Sequence, residues 1–194
     1  MLDVAPLLRE FLEFPGVEER SVLRSPFGFL ALHGGLEAGT AEIANAAADS
    51  SGASVYAVVQ PDDLRWHIPS HNYDPVHSGE LATFLDHVDV LVSVHGYGGL
   101  RGSDDRWITA LLGGGNRRLA SELARALRRA LPHYRFVDDV DRMPVELRGV
   151  HPANPVNRAR GGGVQIELPP RIRRDADATA LVGALAEFAH SAVQ

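Results

Sequence analysis

The sequence predicts an α/β fold: a three-layer α/β/α sandwich whose mixed, mostly parallel sheet lies between two layers of helices. Short apolar runs that stop at glycine alternate along the chain with alanine-rich or amphipathic runs of helical length. The 194 residues, 45% of them hydrophobic, suffice for one domain with a sizeable core. We therefore expect a single domain over residues 1–194, with residues 1–25 as an N-terminal helical extension.

The elements follow in order along the chain. A short helix is expected over residues 2–13, a polar loop over 61–77 and a long loop over 141–162, and an alanine-rich helix closes the chain. Asn116 is expected to cap the helix that follows it. The predicted strands cover residues 27–33, 54–60, 88–96, 106–115, 134–139 and 163–169, and the helices between them cover 39–48, 79–87 and 116–131.

Composition excludes several classes of protein. The chain has no cysteine, so a metal must be bound by His, Asp or Glu. Its net charge is -6 and it has no basic run, which argues against a nucleic-acid partner. We find neither a signal peptide nor the run of about 18 apolar residues that a membrane helix needs. We therefore expect a cytoplasmic protein without a membrane partner.

Polar side chains stand where three of the predicted strands end. His33 and Glu37 follow the first strand in "LHGGLE", His95 ends the third in "SVHG", and Glu167 lies in the last, "VQIEL". Ligands of open α/β sheets bind beyond the carboxyl ends of the strands. Two imidazoles and a carboxylate suit a catalytic zinc ion, and a second carboxylate suits a general base. Alternatively, the His-Gly turns are structural, and Glu37 only favours the start of the next helix.

Four stretches of the chain carry a resemblance. "ALHGGLEAGTAEIA", "SVHGYGG", "LLGGGNRRLA" and "HPANPVNRARGGGVQIELPPRIR" resemble, in the same order, motifs of the poly-γ-glutamate hydrolase family, phage-type enzymes with a zinc carboxypeptidase-like fold. The resemblance runs from about Phe27 to Arg173. It implies one Zn2+ ion per chain, held by His33, Glu37 and His95. It also implies that Glu167 acts as general base while zinc-bound water attacks a γ-glutamyl-type amide, in a small or polymeric substrate.

One departure from that family leaves a second interpretation open. The turn between His33 and Glu37 is one residue shorter than the His-Gly-Gly-Gly-Ile-Glu of many relatives, and Glu42 on the next helix is the fallback ligand. If the short turn has broken the site, the chain is a non-catalytic or metal-depleted binding module for γ-glutamyl or cell-wall peptides.

Four further residues are candidate substrate contacts. Arg158 and its neighbour Asn157 suit an anionic substrate, because a guanidinium binds a carboxylate through paired hydrogen bonds. His67 is expected to face the cleft, and Tyr97 to donate to a developing oxyanion. The alternatives are that Arg158 pairs with Asp138 or Asp139 and that Tyr97 packs over the turn. A second metal site is also conceivable in the polar loop, from His67, His71, Asp74 and His77, although a surface loop explains these residues equally well.

Overall fold

The fold is built on a seven-stranded sheet in the order β1-β3-β2-β4-β7-β5-β6. The computed structural model describes residues 8–99 and 104–192. The β1–β3 and β5–β7 pairs are antiparallel and the other four neighbouring pairs are parallel, so the sheet is mixed and mostly parallel, as predicted. The strands are β1 (Glu18–Val22), β2 (Phe27–Gly34), β3 (Ser54–Val59), β4 (Val90–Gly96), β5 (Thr109–Leu112), β6 (Arg135–Val137) and β7 (Gly163–Leu168).

Helices cover both faces of this sheet and make the three predicted layers. Each face has its own apolar core, because strand residues alternate in direction and bury one set of side chains against each helical layer. No helix within residues 8–99 and 104–192 is long and apolar enough to span a membrane. One layer holds α1 (Leu8–Leu12) and α3 (Gly79–His87), and the other holds α2 (Thr40–Ser51), α4 (Arg117–Ala130) and α5 (Asp175–Ala192).

Helix α4 follows directly from its sequence. It buries an apolar stripe at helical spacing, while Arg118, Arg125 and Arg129 on the other side are exposed. The side chain of Asn116 accepts a hydrogen bond from the Leu119 N–H at 2.9 Å, which makes Asn116 the predicted N-cap. The buried residues of the stripe are Leu119, Ala120, Leu123, Ala124 and Leu127.

The amino-terminal segment differs from the predicted helical extension. Its helix covers only Leu8–Leu12, while the predicted residues 2–7 lie outside the described part of the chain. The segment also contains β1, which pairs with β3 at the edge of the sheet. We did not predict β1, because an edge strand of sequence EERSV, exposed or half-exposed throughout, carries no alternation of apolar residues.

Two further boundaries differ from the prediction. The strand expected over 106–115 is limited to β5, and a 3-10 turn over Asp104–Trp107 precedes it. The long loop expected over 141–162 contains 3-10 turns, at Val145–Leu147 and Pro155–Asn157 among others. Such single turns leave no periodic apolar pattern in a sequence.

The sheet order places the candidate site. Strands β2, β4 and β7 are neighbours and parallel, so their carboxyl ends meet at one edge of the sheet. In the β4–β7 pair, His95 lies directly opposite Glu167, which puts both side chains on the same face. Residues from distant parts of the sequence are thus brought to the same edge.

Candidate active site

A tight turn after β2 brings His33 and Glu37 together. The Glu37 N–H donates to the His33 carbonyl at 2.8 Å, and the Glu37 Oε1 atom lies 2.9 Å from the His33 Nδ1 atom. The turn requires glycine at position 35, where φ is +80° and a Cβ would stand 2.0 Å from the Gln60 carbonyl oxygen. The short turn therefore still directs the Glu37 carboxylate at His33, whereas the fallback Glu42 is exposed on α2.

His95 completes a group of three converging donors, which we call the donor group: His33, Glu37 and His95. The Nδ1 atom of His95 lies 3.2 Å from that of His33 and 3.6 Å from the Glu37 Oε2 atom, which also accepts the Gly96 N–H at 2.8 Å. The far ring nitrogens have protein partners, because the Nε2 of His33 faces the Ile68 carbonyl and that of His95 faces the Ser93 hydroxyl, both at 2.9 Å.

These partners fix which nitrogen faces the site. A carbonyl oxygen only accepts, so the Nε2 atom of His33 carries the proton in its hydrogen bond to Ile68. The Nδ1 atom of His33 is then left facing the two other donors. Outer partners of this kind orient histidine ligands in metal sites.

The electrostatics of the donor group favour a shared cation. Burial lowers the pKa of His33, but its hydrogen bond to Glu37, the Glu37 charge and the Ile68 carbonyl raise it above the usual 6.5 overall. Burial raises the pKa of Glu37, yet the two histidines lower it far below its usual value. For His95, burial lowers the pKa despite Glu37. Without a proton or cation between them, three buried lone-pair donors would repel one another, so the group fits a divalent metal ion.

His67 lies beside the donor group. One ligand atom each from His33, Glu37 and His67 lies within 4.8 Å of the others, which is a spacing that suits a metal ion. The exposed His67 ring packs on the His33 ring at 4.8 Å between centroids. Burial and the neighbouring His33 lower the pKa of His67. We predicted a substrate contact for His67 but not its reach to the metal position, because that reach depends on how the polar loop folds.

Glu167 is fully enclosed beside the donor group. It is 4% exposed, and one of its carboxylate oxygens accepts the Gln165 amide N–H at 2.7 Å. The Gln165 oxygen in turn accepts from Asn154 at 2.8 Å. Burial, and next the Glu37 charge, raise the pKa of Glu167 well above its usual value. We did not predict roles for Gln165 and Asn154, although strand alternation places Gln165 on the same face as Glu167.

One cavity of about 640 Å³ connects these residues. Its floor is the donor group with Glu167, and part of its wall comes from the segment between β6 and β7. His67 and Tyr97 also line it, so the structure brings together six of the eight predicted site residues. The wall residues from that segment are Val145, Glu146, Leu147, Gly149, Val150, His151 and Asn154.

Asn157 and Arg158 do not line this cavity, and their positions give no support to the predicted substrate contacts. The Asn157 amide donates to the carbonyls of Gly149 and His151 and accepts the Gly115 N–H, so all its hydrogen bonds hold loops. Arg158 donates to Asp74 at 3.4 Å, not to Asp138 or Asp139. Both residues precede β7, whereas the donor group lies at its carboxyl end.

Tyr97 lines the cavity with its ring, while its hydroxyl is bound elsewhere. The hydroxyl donates to the Thr109 carbonyl at 2.5 Å, and burial raises the pKa of Tyr97. In this arrangement the hydroxyl proton is engaged by the Thr109 carbonyl, and the oxyanion contact stays a prediction.

The polar loop does not form a second metal site within the described residues. Of its four candidate ligands only His67 belongs to a metal-sized group, and that group is the one with His33 and Glu37. Asp74 instead caps the 3-10 turn over Pro75–His77.

Solved structures with this fold include bacteriophage poly-gamma-glutamate hydrolase, which is 23% identical over 92% of this chain and 91% of its own, with a TM-score of 0.73. YNDL in its zinc-free apo form is 21% identical over 95% of each chain, with a TM-score of 0.76. Gene product Atu2144 of Agrobacterium tumefaciens is 14% identical over 94% of this chain and 96% of its own, with a TM-score of 0.58. At these identities the likeness shows the fold.

The family is shown by sequence. A comparison with curated proteins finds no match. The model of the poly-gamma-glutamate hydrolase family, by contrast, matches residues 10–179, which include the whole donor group and Glu167. The family predicted from the motifs is thus confirmed, and with it the class of enzyme, a hydrolase acting on amide bonds. The chain belongs to the poly-γ-glutamate hydrolase family.

Proposed function

We propose that the chain is a zinc-dependent amidohydrolase that cleaves γ-glutamyl-type amide bonds. One observation carries the proposal: two Nδ1 atoms and a carboxylate converge within 3.6 Å, beside a second, buried carboxylate on the neighbouring strand. Membership of a family of amide hydrolases agrees with this arrangement.

His33, Glu37 and His95 would hold the ion. Both rings are already turned toward that position, because their Nε2 atoms are bound to Ile68 and Ser93. A zinc ion bound there supplies Lewis acidity, which polarises a carbonyl and lowers the pKa of water. His67 would be a fourth donor or a substrate contact, since its ligand atom lies within reach of the same point.

Glu167 would move the protons. As a carboxylate, Glu167 would take a proton from attacking water and pass it to the leaving amine, and its raised pKa makes it a stronger base than an ordinary glutamate. The Gln165 amide holds one of its oxygens at 2.7 Å, which leaves the other to face the reacting atoms. The enclosed position of Glu167 excludes bulk water from this exchange.

The γ-glutamyl part of the substrate is proposed from the family. The volume of about 640 Å³ has room for a short peptide-like amide, and the wall offers the apolar side chains of Val145, Leu147 and Val150. Parallel assays with a γ-glutamyl dipeptide amide, a γ-linked glutamate polymer and a peptidoglycan stem peptide would separate small from polymeric substrates. The cytoplasmic location remains our prediction.

No observation favours the alternative of a non-catalytic binding module. That alternative depended on the short turn, and the turn leaves Glu37 Oε1 at 2.9 Å from His33 Nδ1. The complete set of donors, together with Glu167, supports the enzyme.

Metal content is the experiment that tests the proposal. The protein is purified without added metal or chelator, and its zinc is measured by elemental mass spectrometry beside His33→Ala and His95→Ala. His133→Ala is the matched control, because His133 is exposed and does not line the cavity. We expect one zinc per chain in the wild type and the control, and none in the two site variants.

The opposite result would be equally clear. If the wild type carries no zinc and takes up none on titration, the binding-module interpretation should lead. If a different ion fills the site at one per chain, zinc is wrong but the ligand set survives. Zinc retained by both site variants would overturn the ligand set.

A further inference from the structure

Arg173 lies across the back of the site, on the segment between β7 and α5. Its backbone packs against Gly39, just beyond Glu37, where an added Cβ would stand 2.9 Å from the Arg173 carbonyl oxygen. Its guanidinium covers Gly96, just beyond His95, where an added Cβ would stand 2.7 Å from Cζ. The arginine therefore joins the turn that carries Glu37 to the end of β4.

The hydrogen bonds of this side chain are incomplete. The Nη1 atom donates to the Ala38 carbonyl, which directly follows Glu37. The Nε atom is buried and has no hydrogen-bond partner, and it is the one such side-chain atom within the described part of the chain. Orphaned buried donors are rare in folded proteins, so another interaction must keep the guanidinium in this position.

Electrostatic attraction supplies that interaction. Burial and the Arg174 charge lower the pKa of Arg173, while the charge of Glu37 and, less strongly, that of Glu167 raise it, so Glu37 is the main source of attraction for the guanidinium. Gly96 is shared between these groups: its N–H donates to the Glu37 Oε2 atom at 2.8 Å, and its open face receives the guanidinium. A side chain at position 96 would displace the arginine.

We propose that Arg173 is a positioning residue for Glu37: it clamps the short His33–Glu37 turn against the end of β4 and so holds the Glu37 carboxylate toward both histidines. The proposal rests on the proposed function, in which Glu37 binds the metal ion. Geometry must outweigh charge here, because a guanidinium near a cation site by itself weakens metal binding.

A double-mutant cycle tests this role. The zinc dissociation constant is measured by chelator competition for wild type, Arg173→Gln, Glu37→Gln and the double variant. We expect Arg173→Gln to weaken zinc binding about 10-fold, the size typical of outer partners of metal ligands. In the Glu37→Gln background the same change should cost less than about 2-fold, because the residue it positions is already neutralised.

Three further measurements keep the result interpretable. Arg174→Gln is the control, since Arg174 is exposed on the same segment, and it should leave zinc affinity unchanged. Arg173→Lys keeps the charge without the planar guanidinium and should fall between wild type and Arg173→Gln. In metal-free protein, the nitrogen NMR shifts of the His33 ring report its hydrogen bond to Glu37, and we expect them to change in Arg173→Gln.

The outcomes separate this proposal from the proposed function. Unchanged or tighter zinc binding by Arg173→Gln, or an equal loss in the Glu37→Gln background, would overturn the positioning role and leave the hydrolase intact. If the wild type binds no zinc, the proposed function is wrong, and only the NMR shifts then test the positioning role of Arg173. His33 signals unaltered by Arg173→Gln would then overturn the positioning role as well.

Discussion

Two polar clusters contact strand β7, and they differ in how far their hydrogen bonds are satisfied within the protein. One is the donor group. The other, which we call the amide group, consists of Asn154, Asn157 and Gln165. In the amide group Asn157 binds three backbone groups, and Asn154 donates to Gln165, whose amide in turn donates to Glu167.

The members of the donor group do not satisfy one another's hydrogen bonds in this way. Two ring nitrogens and a carboxylate face one point within 3.6 Å, where only a ring proton or a bound cation can separate them. A cluster whose donors and acceptors are paired within the protein acts as scaffold. A cluster of converging acceptors, by contrast, requires a proton or a cation. The two groups meet at Glu167, which belongs chemically to the first and accepts a hydrogen bond from the second.

The largest expected effect comes from replacing the Glu167 carboxylate with an amide. Glu167→Gln should lower kcat about 1,000-fold, because general acid–base catalysis typically contributes 10²–10⁴-fold. Zinc content should be unchanged, since Glu167 is not one of the proposed ligands. The control is Glu146→Gln, another acid that lines the cavity. Turnover within about 10-fold of wild type would remove Glu167 from the mechanism.

A smaller effect is expected from breaking the amide group. Asn157→Ala removes three hydrogen bonds to backbone groups and should lower the free energy of unfolding by about 3 kcal/mol, at roughly 1 kcal/mol for each bond. Urea unfolding measures it. The zinc content of the folded fraction should stay at the wild-type level. If Asn157→Ala instead lost zinc with unchanged stability, the distinction between scaffold and site would fail.

The charge of Glu167 should also appear in the pH dependence of stability. In the folded chain the pKa of Glu167 is raised. At a pH between the unfolded and the folded pKa, the folded chain therefore keeps a proton that the unfolded chain has lost. A rise in pH then lowers the free energy of unfolding. Metal-free Glu167→Gln has no carboxyl at this position, so it does not lose stability in this way as the pH rises. It should therefore become more stable relative to wild type as the pH rises above the unfolded glutamate pKa of about 4.3, in urea unfolding with chelator. A difference independent of pH would contradict the raised pKa.

The smallest effect is expected outside both groups. Arg158→Ala removes an exposed ion pair with Asp74 and should change the free energy of unfolding by less than about 0.5 kcal/mol. KM for a γ-glutamyl amide should stay within about 2-fold of wild type. A marked rise in KM, confined to substrates with a free carboxylate, would restore Arg158 as a substrate contact.

The parts of the fold and of the site that depend on local residue patterns could be predicted from the sequence. Apolar runs ending in His-Gly located β2 and β4, and the parallel sheet then brings His33, His95 and Glu167 to one edge. Other features depend on loops whose sequences have no periodicity. They are the position of His67, the hydrogen bonds that link Asn154 through Gln165 to Glu167, and the packing of Arg173 on Gly96. The same reason explains why Asn157 and Arg158 lie outside the lining of the cavity: their residue types suit an anion, but both residues precede β7, and the cavity is at its carboxyl end.

The origin of the cavity wall has a consequence for substrate preference. The reactive floor comes from β2, β4 and β7 and their turns, whereas Val145, Leu147 and Val150 come from a separate segment between β6 and β7. Val145 is 74% exposed and contributes little to the core. Under the proposed function, substitutions at Val145, Leu147 and Val150 should therefore alter substrate preference without displacing the residues that would hold the ion or move the proton.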